Sequence, residues 1–477
     1  MLSCVGKTEQ TDVVVIGGGV AGCAAALAAA RNGAKTVLVE SAGILGGQAT
    51  LGLVTPLDAR RTRSGIPFGG LLEEIAEKTV ALTKTYCSCD SEGEVLEIAS
   101  PHILKYVLLE LLTQANVDIR FHTTLIGAGT EGSRITEVLL SSKSGLESVT
   151  AGSFIDASGD ADLVYHSGAE YVLGSEPGVF DQLTQSGLNK AHFSERCYEE
   201  YACDGLMQPV SVFFLMGGVD VDRAAALNNQ ELKFGDLQIT EEAFRAWKFA
   251  GSCGFEISSD AIPMPQGRIL ISRSTRPDIA VVNMSRVVGI NGADAASLNE
   301  GEIKAQKQVI ALVDFLKTFV PGFEKSYLLQ SGSTLGVRET RRMVGQYVLS
   351  GREAIAAKTF PYPVARGSYI IDIHDPNGKA RAIGGRIQGD FYDIPYGCLL
   401  SKTYENLLAC GRCLSADHVA HSSTRIQGTC ILTGQAAGTA AAMALRENIP
   451  PRALSEAVLH KQLIKDRVYL SACDTNQ

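Results

Sequence analysis

What the chain has little of narrows its class first. Its 477 residues include one tryptophan, 6% aromatic residues and only 20% charged residues. Set beside that low charge, 45% apolar residues are enough to bury a large core, so wholesale disorder is excluded. Basic residues are not in excess: 43 Lys and Arg face 52 Asp and Glu, for a net charge of -9, and no block of like charges forms a tail. A protein that tracks a phosphate backbone needs a basic footprint, so no nucleic-acid partner is expected. No secretory signal is read in Met1 to Gln10, where Lys7 and Glu9 interrupt any apolar run, and a cytoplasmic location is expected. Leu2-Ser3-Cys4 mimics a lipid-attachment site without the apolar segment such a site needs.

Charge-free runs are equally scarce. Val13 to Ala30 and Gly428 to Leu445 each extend 18 residues, but they are built from Gly and Ala rather than Leu, Ile and Phe. The first divides into a strand and a helix, and neither is read as a membrane span. No internal repeat, Gly-x-Ser-x-Gly elbow or paired-carboxylate motif stands out, so a hydrolase reading has no support. Glycine, by contrast, is plentiful at 49 residues without a collagen period, which points to tight turns and close backbone approaches. The 12 cysteines read as reduced thiols. Cys410-x2-Cys413 with His418 and His421 imitates a zinc site, but four residues between the pairs are too few to fold around the ion, and no metal is expected.

Asp12 to Ile16 is a buried-strand pattern running straight into Gly17-Gly18-Gly19-Val20-Ala21-Gly22 and an alanine-rich helix that ends near Asn32-Gly33. Lys35 to Glu40 is a second strand with an acid at its end. Gly17 permits the tight turn, Gly19 lets backbone approach a pyrophosphate, and Gly22 lets the helix sit close to the strand. The helix amino terminus would face the phosphates and Glu40 the ribose hydroxyls of an adenosine. The same spacing recurs in Gly127-Ala128-Gly129-Thr130-Glu131-Gly132, but Ser133 to Leu140 then alternates like a strand, so a hairpin loop without phosphate is expected there. A second glycine turn, Gly46-Gly47-Gln48-Ala49-Thr50, lies where a flavin's ribityl and ring would pass, and the strand Ser153 to Asp156 leads into Ala157-Ser158-Gly159-Asp160.

With these segments stand Leu335 to Arg342, Ile371 to Pro376, Ala409 to Cys413, Ser423 to Cys430 and Gly434 to Gly438. In them the chain resembles the FAD-dependent oxidoreductases of the glutathione-reductase-like flavoprotein superfamily. More narrowly, it resembles the family labelled simply FAD-dependent oxidoreductase, a relative of the fumarate reductase and glucose-inhibited-division flavoproteins. The resemblance implies FAD as cofactor and an α/β fold, with a discontinuous Rossmann-like FAD-binding domain and an inserted α+β substrate or cap domain. It implies cofactor contacts from Gly17, Gly19, Val20, Ala21, Gly22, Glu40, Ser41, Gly46, Gly47, Gln48, Ala49, Thr50, Leu125, Ala157, Ser158, Gly159, Asp160, Gly411, Arg412, Gln427, Gly428 and Thr429. Gly428 and Thr429 also open a small-residue helix whose free N–H groups can point at an electron-rich acceptor, in related flavoproteins the pyrimidine edge of the ring.

The expected division is an FAD-binding domain over 1–170 and 386–450, a cap over 171–385 and a helical tail over 451–477. Within it, helices are expected over Phe68 to Thr83, Pro101 to Leu112 and Ser297 to Phe319, and a loop near Cys87 to Glu94. Strands are expected over Val117 to Ile126, Val210 to Leu215, Arg268 to Ile271 and Ile279 to Asn283. A second strand-glycine-helix unit for a nicotinamide is missing, which argues against a two-nucleotide disulfide reductase.

Flavin chemistry on a carbon centre needs a base and usually a cation for a carboxylate or developing enolate. His374 is the first candidate base, with Asp372 or Asp375 to fix its tautomer, against the alternative of a structural histidine. Arg338 and Arg425 are candidate carboxylate clamps. An internal ion pair, with Glu339 or another acid, stays open for Arg338 and is favoured for Arg341 and Arg342. His418 could reach the flavin face, Tyr396 reads as an aromatic wall before a proton donor, and a Cys410/Cys413 redox couple is the lesser reading. The expected function is hydride transfer between a small organic substrate and FAD in an interdomain cleft, with the electron acceptor and oligomeric state open. The alternatives are an electron-transfer subunit or redox sensor without a substrate, or a tRNA-modifying flavoprotein, against which the acidic balance and the missing basic C-terminal region count.

Overall fold

A strand such as Val13–Ile16 has no polar face, so it is stable only with both sides covered. The computed structural model, which describes residues 7–87, 100–176, 205–225, 247–249, 255–257, 271–376 and 383–470, places it so. It is the middle strand of a five-stranded parallel sheet in the order Leu407–Ala409, Ser153–Asp156, Val13–Ile16, Thr36–Val39, Asp118–Arg120. One strand comes from some 250 residues beyond the others, so the unit is discontinuous, as expected. Val14, Ile16, Val37 and Val39 meet Leu125, Val138, Leu140 and Val149 on one face, from the antiparallel strands Thr124–Glu131, Arg134–Ser142 and Gly145–Thr150. Val13, Val15 and Leu38 point to the other face, which the helices Val20–Arg31, Gly70–Tyr86, Pro101–Gln114 and Gln427–Arg446 cover. Leu349, Ala354, Ile355, Val364, Ala365, Ile371 and Ile373 belong to that same core.

The first and last of these helices touch backbone to backbone. A Cβ added to Gly434 would lie 2.1 Å from the Ala21 carbonyl oxygen, and one on Gly438 would lie 1.9 Å from that of Ala25. Residues four apart share a helix face, so the two small-residue pairs form one seam. That seam holds the start of Gln427–Arg446 beside the first glycine turn.

The inserted unit is an antiparallel sheet in the order Ile271–Arg273, Ile279–Val282, Phe214–Gly217, Tyr327–Ser331, lined by Phe214, Met216, Ala280 and Val282. Helix Ala295–Phe319 buries Val309, Leu312 and Leu316 against it, and starts at Asp294, whose side chain accepts the Ser297 N–H at 2.8 Å.

Two expectations shift. The strand expected over Val210 to Leu215 begins at Phe214, because the Val212 N–H donates to the Ser285 oxygen at 2.7 Å and the Val212 carbonyl accepts the Ser285 hydroxyl at 2.8 Å, instead of either pairing with a neighbouring strand. Gly127 to Gly129 are in strand Thr124–Glu131 rather than a loop, paired with Leu139, Val138 and Glu137; the turn is confined to Gly132, at φ +57°, and Ser133. Register shifts beside Gly127 and Gly129 show these glycines serving bulges. Of the strand expected over Arg268 to Ile271, only Ile271 is among the described residues, at the start of strand Ile271–Arg273. Residues 268–270 and the expected loop beyond Cys87 lie outside the described residues. No helix among the described residues is long and apolar enough to cross a membrane.

Candidate functional site

The chain leaves Val13–Ile16 through Gly17, at φ +100°, where a Cβ would lie 2.5 Å from the Ala157 carbonyl oxygen. A Cβ on Gly22 would come within 1.8 Å of the Gly17 oxygen, whereas one on Gly19 would meet nothing within 4 Å. Two glycines are therefore demanded by the fold, and the third borders open space at the start of helix Val20–Arg31. That helix has no side-chain cap and no acid in its first turn, so its amino terminus stays open to an anion. Glu40 accepts the Gly18 N–H on Oε2 and the Ala42 N–H on Oε1, both at 2.7 Å. Oε1 also accepts the Ser41 hydroxyl at 3.3 Å, so Oε2 is the oxygen that keeps a lone pair for a ribose hydroxyl.

The second glycine turn lies against the first: the Gly46 N–H donates to the Gly18 oxygen at 2.8 Å. From there Gln48 donates to the Leu335 carbonyl of the inserted unit at 2.9 Å, leaving its Oε1 buried and unpartnered. Gln427 does the same with Val54, at 2.6 Å, and its Oε1 and the Thr429 Oγ1 are also unpartnered. The Gly428 N–H differs from expectation, since it donates to the Asp58 carbonyl at 3.1 Å. The segment through Asp58 and Ala59 crosses the helix start so closely that a Cβ on Gly428 would lie 2.5 Å from the Asp58 oxygen. Asp160 and Arg412, both expected at the cofactor, pair with each other at 2.7 Å, and Thr340 donates to the same Asp160 oxygen at 2.8 Å. Leu125 packs into the sheet core.

Four of the candidate polar groups come together where the inserted unit meets strand Ile371–Ile373 and helix His418–Thr424. His374 Nε2 and Arg425 Nη2 both reach Asp372 Oδ2, at 3.4 and 3.5 Å. Arg338 donates to the Pro209 carbonyl at 2.6 Å and has no carboxylate in ion-pair contact among the described residues. Burial, then Arg338, push the His374 imidazole down to about 3 against the pull of Asp372, so it is neutral near pH 7. Burial and Arg425 lower the Arg338 guanidinium to about 9, still a cation. Two residues absent from the sequence reading join them. Gln208 accepts the His374 N–H at 3.1 Å, and the buried Arg286 donates to the Asp375 carbonyl at 2.7 Å. Neither belongs to a motif; an arginine four residues beyond the apolar strand Ile279–Val282 was the one available signal.

A family model described as FAD dependent oxidoreductase matches residues 12–463. The chain belongs to that family. Among solved structures it is similar, at 12% identity, to a geranylgeranyl bacteriochlorophyll reductase-like protein from Thermoplasma acidophilum, over 97% of this chain and 84% of that one, with a TM-score of 0.43. It is likewise similar, at 11% identity, to p-nitrophenol 4-monooxygenase from Pseudomonas putida, over 97% and 85%, with a TM-score of 0.43. No curated protein matches.

As an FAD-dependent oxidoreductase, the chain is an enzyme whose cofactor is FAD. Its residues fit that group: the space at Gly19 can admit a pyrophosphate, Glu40 a ribose, and the unpartnered atoms of Gln48, Gln427 and Thr429 the polar edge of a ring. Other candidates are bound elsewhere. Glu339 pairs with Arg342 and His418 rather than with Arg338, and Arg342 also holds Glu176 and the Gly174 and Ala416 carbonyls. Arg341 bonds Asp162 at 3.1 Å and lies over Tyr165. Tyr396 donates to the Pro451 carbonyl at 2.9 Å inside the core. Burial pushes the Cys410 and Cys413 thiols well up, the opposite of an activated redox pair.

Proposed function

We propose that this FAD-dependent oxidoreductase moves a hydride between FAD and a small organic anion held where the inserted unit meets the cofactor-binding unit. The observation that carries this reading is the buried group of Arg338, Arg425, Asp372 and His374. Arg338 and Arg425, with the Arg286 guanidinium close enough to act on Arg338, stand beside one carboxylate, Asp372, that His374 and Arg425 share, and the imidazole is neutral. Burying those cations is costly until an anion joins them, and a planar guanidinium holds a carboxylate best.

Arg338 and Arg425 would hold the substrate carboxylate and exclude water from it. Asp372 accepts the Nε2–H of His374, which leaves the Nδ1 lone pair to take a proton. A bound carboxylate would offset the two guanidinium charges, raising the basicity of that nitrogen when substrate is present. FAD, when bound, supplies the two-electron exchange with carbon. His418, fully buried on Glu339, acts here as a positioning residue. In this reading the cofactor unit comprises 1–170 and 386–450, tied through the core residues between Leu349 and Ile373, with 171–385 as substrate domain and 451–477 as tail. The wider kinship is with the glutathione-reductase-like and fumarate reductase flavoproteins.

The test is anaerobic bleaching of the FAD-loaded protein by a panel of carboxylates and of uncharged analogues. Arg425→Gln should stay yellow and lose bleaching by carboxylates. His374→Asn should stay yellow and bleach about a hundredfold more slowly. Bleaching only by uncharged molecules, or at full rate in both variants, would overturn the proposal.

A further inference from the structure

Gln208, His374 and Arg425 each bury one polar atom without a partner: the side-chain nitrogen, Nδ1 and Nε. Their chemical roles are fixed by what surrounds them. Gln208 is 1% exposed, and because its Oε1 accepts the His374 backbone N–H, its other terminus is the amide nitrogen, a donor. Arg425 Nε is a donor by nature. His374 Nε2 lies 3.4 Å from the Asp372 carboxylate, which favours the proton on Nε2 and makes Nδ1 the acceptor. A ligand that satisfies the cluster must therefore present acceptors to Arg338, Arg425 and Gln208, and one donor to His374. A simple carboxylate, or one flanked by saturated carbons, has no donor and leaves Nδ1 unpaired.

The donor could come from a hydroxyl or an ammonium, and charge separates them. An ammonium would enter among the Arg338, Arg425 and Arg286 guanidinium groups, which repel it. Asp372 is the only carboxylate in ion-pair contact with His374 or Arg425 among the described residues, and it is shared between them. A hydroxyl adds no charge. Its hydrogen suits Nδ1 and its oxygen lone pairs suit the Gln208 amide, so both unpartnered neighbours are met by one group. Arg425 and His374 flank the same Asp372 oxygen, so one small ligand can carry both the carboxylate and the hydroxyl.

Resting on the reading above, we infer that the substrate class of this site is the hydroxy carboxylates, with Gln208 as a substrate-contacting residue that selects a hydroxyl over an amino group or hydrogen.

The test compares the thermal unfolding midpoint of the FAD-loaded protein across titrations with lactate, propionate and alanine, and with mandelate, phenylacetate and phenylglycine. Midpoint shifts report binding whether or not turnover follows. In at least one set the hydroxy acid should act at a concentration roughly tenfold below that of the acid lacking the hydroxyl, one or two hydrogen bonds' worth, and the amino acid should act least. Gln208→Glu keeps the acceptor for the His374 N–H and removes the donor, so it should hold FAD and lose most of that preference. Equal action by the acids with and without the hydroxyl, stronger action by the amino acid, or an unaltered preference in Gln208→Glu overturns the inference while the carboxylate clamp stands. If none of the six shifts the midpoint, or Arg425→Gln responds as the parent does, the clamp itself fails and the inference falls with it.

Discussion

At the scale of single residues, the three glycines of the first turn look alike in the sequence and differ in what surrounds them. Gly19→Val should fold, because a Cβ there meets nothing and the residue's φ of -64° suits any side chain. The protein should nevertheless purify without flavin absorbance. Gly22→Ala should instead fail to reach the native circular dichroism spectrum, since its Cβ would overlap the Gly17 oxygen. Reversal of these two outcomes would misplace the cofactor. His374 makes a second prediction, about pH. Its folded imidazole lies at about 3, below the ~6.5 of an unfolded chain, so between those values the unfolded state binds the extra proton and stability falls as pH falls. From pH 7 to pH 5 the loss is ~2 kcal/mol. His421, also pushed down by burial, pulls the same way, while Asp417, whose carboxyl burial pushes up to about 6, pulls the other way. The slope is therefore read as the difference in urea unfolding between the parent and His374→Asn, and identical slopes would remove the assignment. Gln208 shows why such sites are only half legible: its role comes from a backbone N–H 166 residues away.

At the scale of elements, composition and spacing announced what local sequence controls. Strand Val13–Ile16, its glycine turn and helix Val20–Arg31 are contiguous, and each residue's preference agrees with its neighbours'. The strand expected from Val210 was displaced because Ser285, distant in sequence, supplies a hydroxyl in place of a ladder partner, which no pattern within 210–215 encodes. The glycines of helix Gln427–Arg446 carry the third prediction. Alanine is the better helix former by about 1 kcal/mol, yet Gly438→Ala should destabilise the protein by about 1–3 kcal/mol, because its methyl meets the Ala25 carbonyl across the seam. Equilibrium denaturation measures it, and a stabilised variant would mean the two helices are farther apart than described. The same change should weaken FAD retention, since the seam positions both turns.

At the scale of the whole molecule, buried charge ties the two units together. Arg342, with Glu339, Glu176 and the Gly174 and Ala416 carbonyls, joins the inserted segments to the start of helix His418–Thr424. Burial alone would push the Glu339 carboxyl up, but His418 and then Arg342 hold it well below the usual range. Arg342→Met should therefore cost about 3–5 kcal/mol, because it strands a buried carboxylate. Adding Glu339→Gln should recover part of that loss in the same denaturation assay. Purely additive losses would show that the pair is not coupled.

Contiguous residues alone settled the strand–glycine–helix crossover with its open space at Gly19, the acid at the end of the second strand, the discontinuous α/β plan and the small-residue helix near the carboxyl end. Each depends on contiguous residues whose conformational limits hold in any surroundings. Only the tertiary structure decided which charges pair and which are left over. It sent Glu339 to His418 and Arg342, left Arg338 with a carbonyl, spent the Gly428 amide on Asp58, and brought Gln208 to His374. Those outcomes depend on distances between segments far apart in the chain, and in a low-dielectric interior a few ångströms separate a satisfied ion pair from an open binding charge.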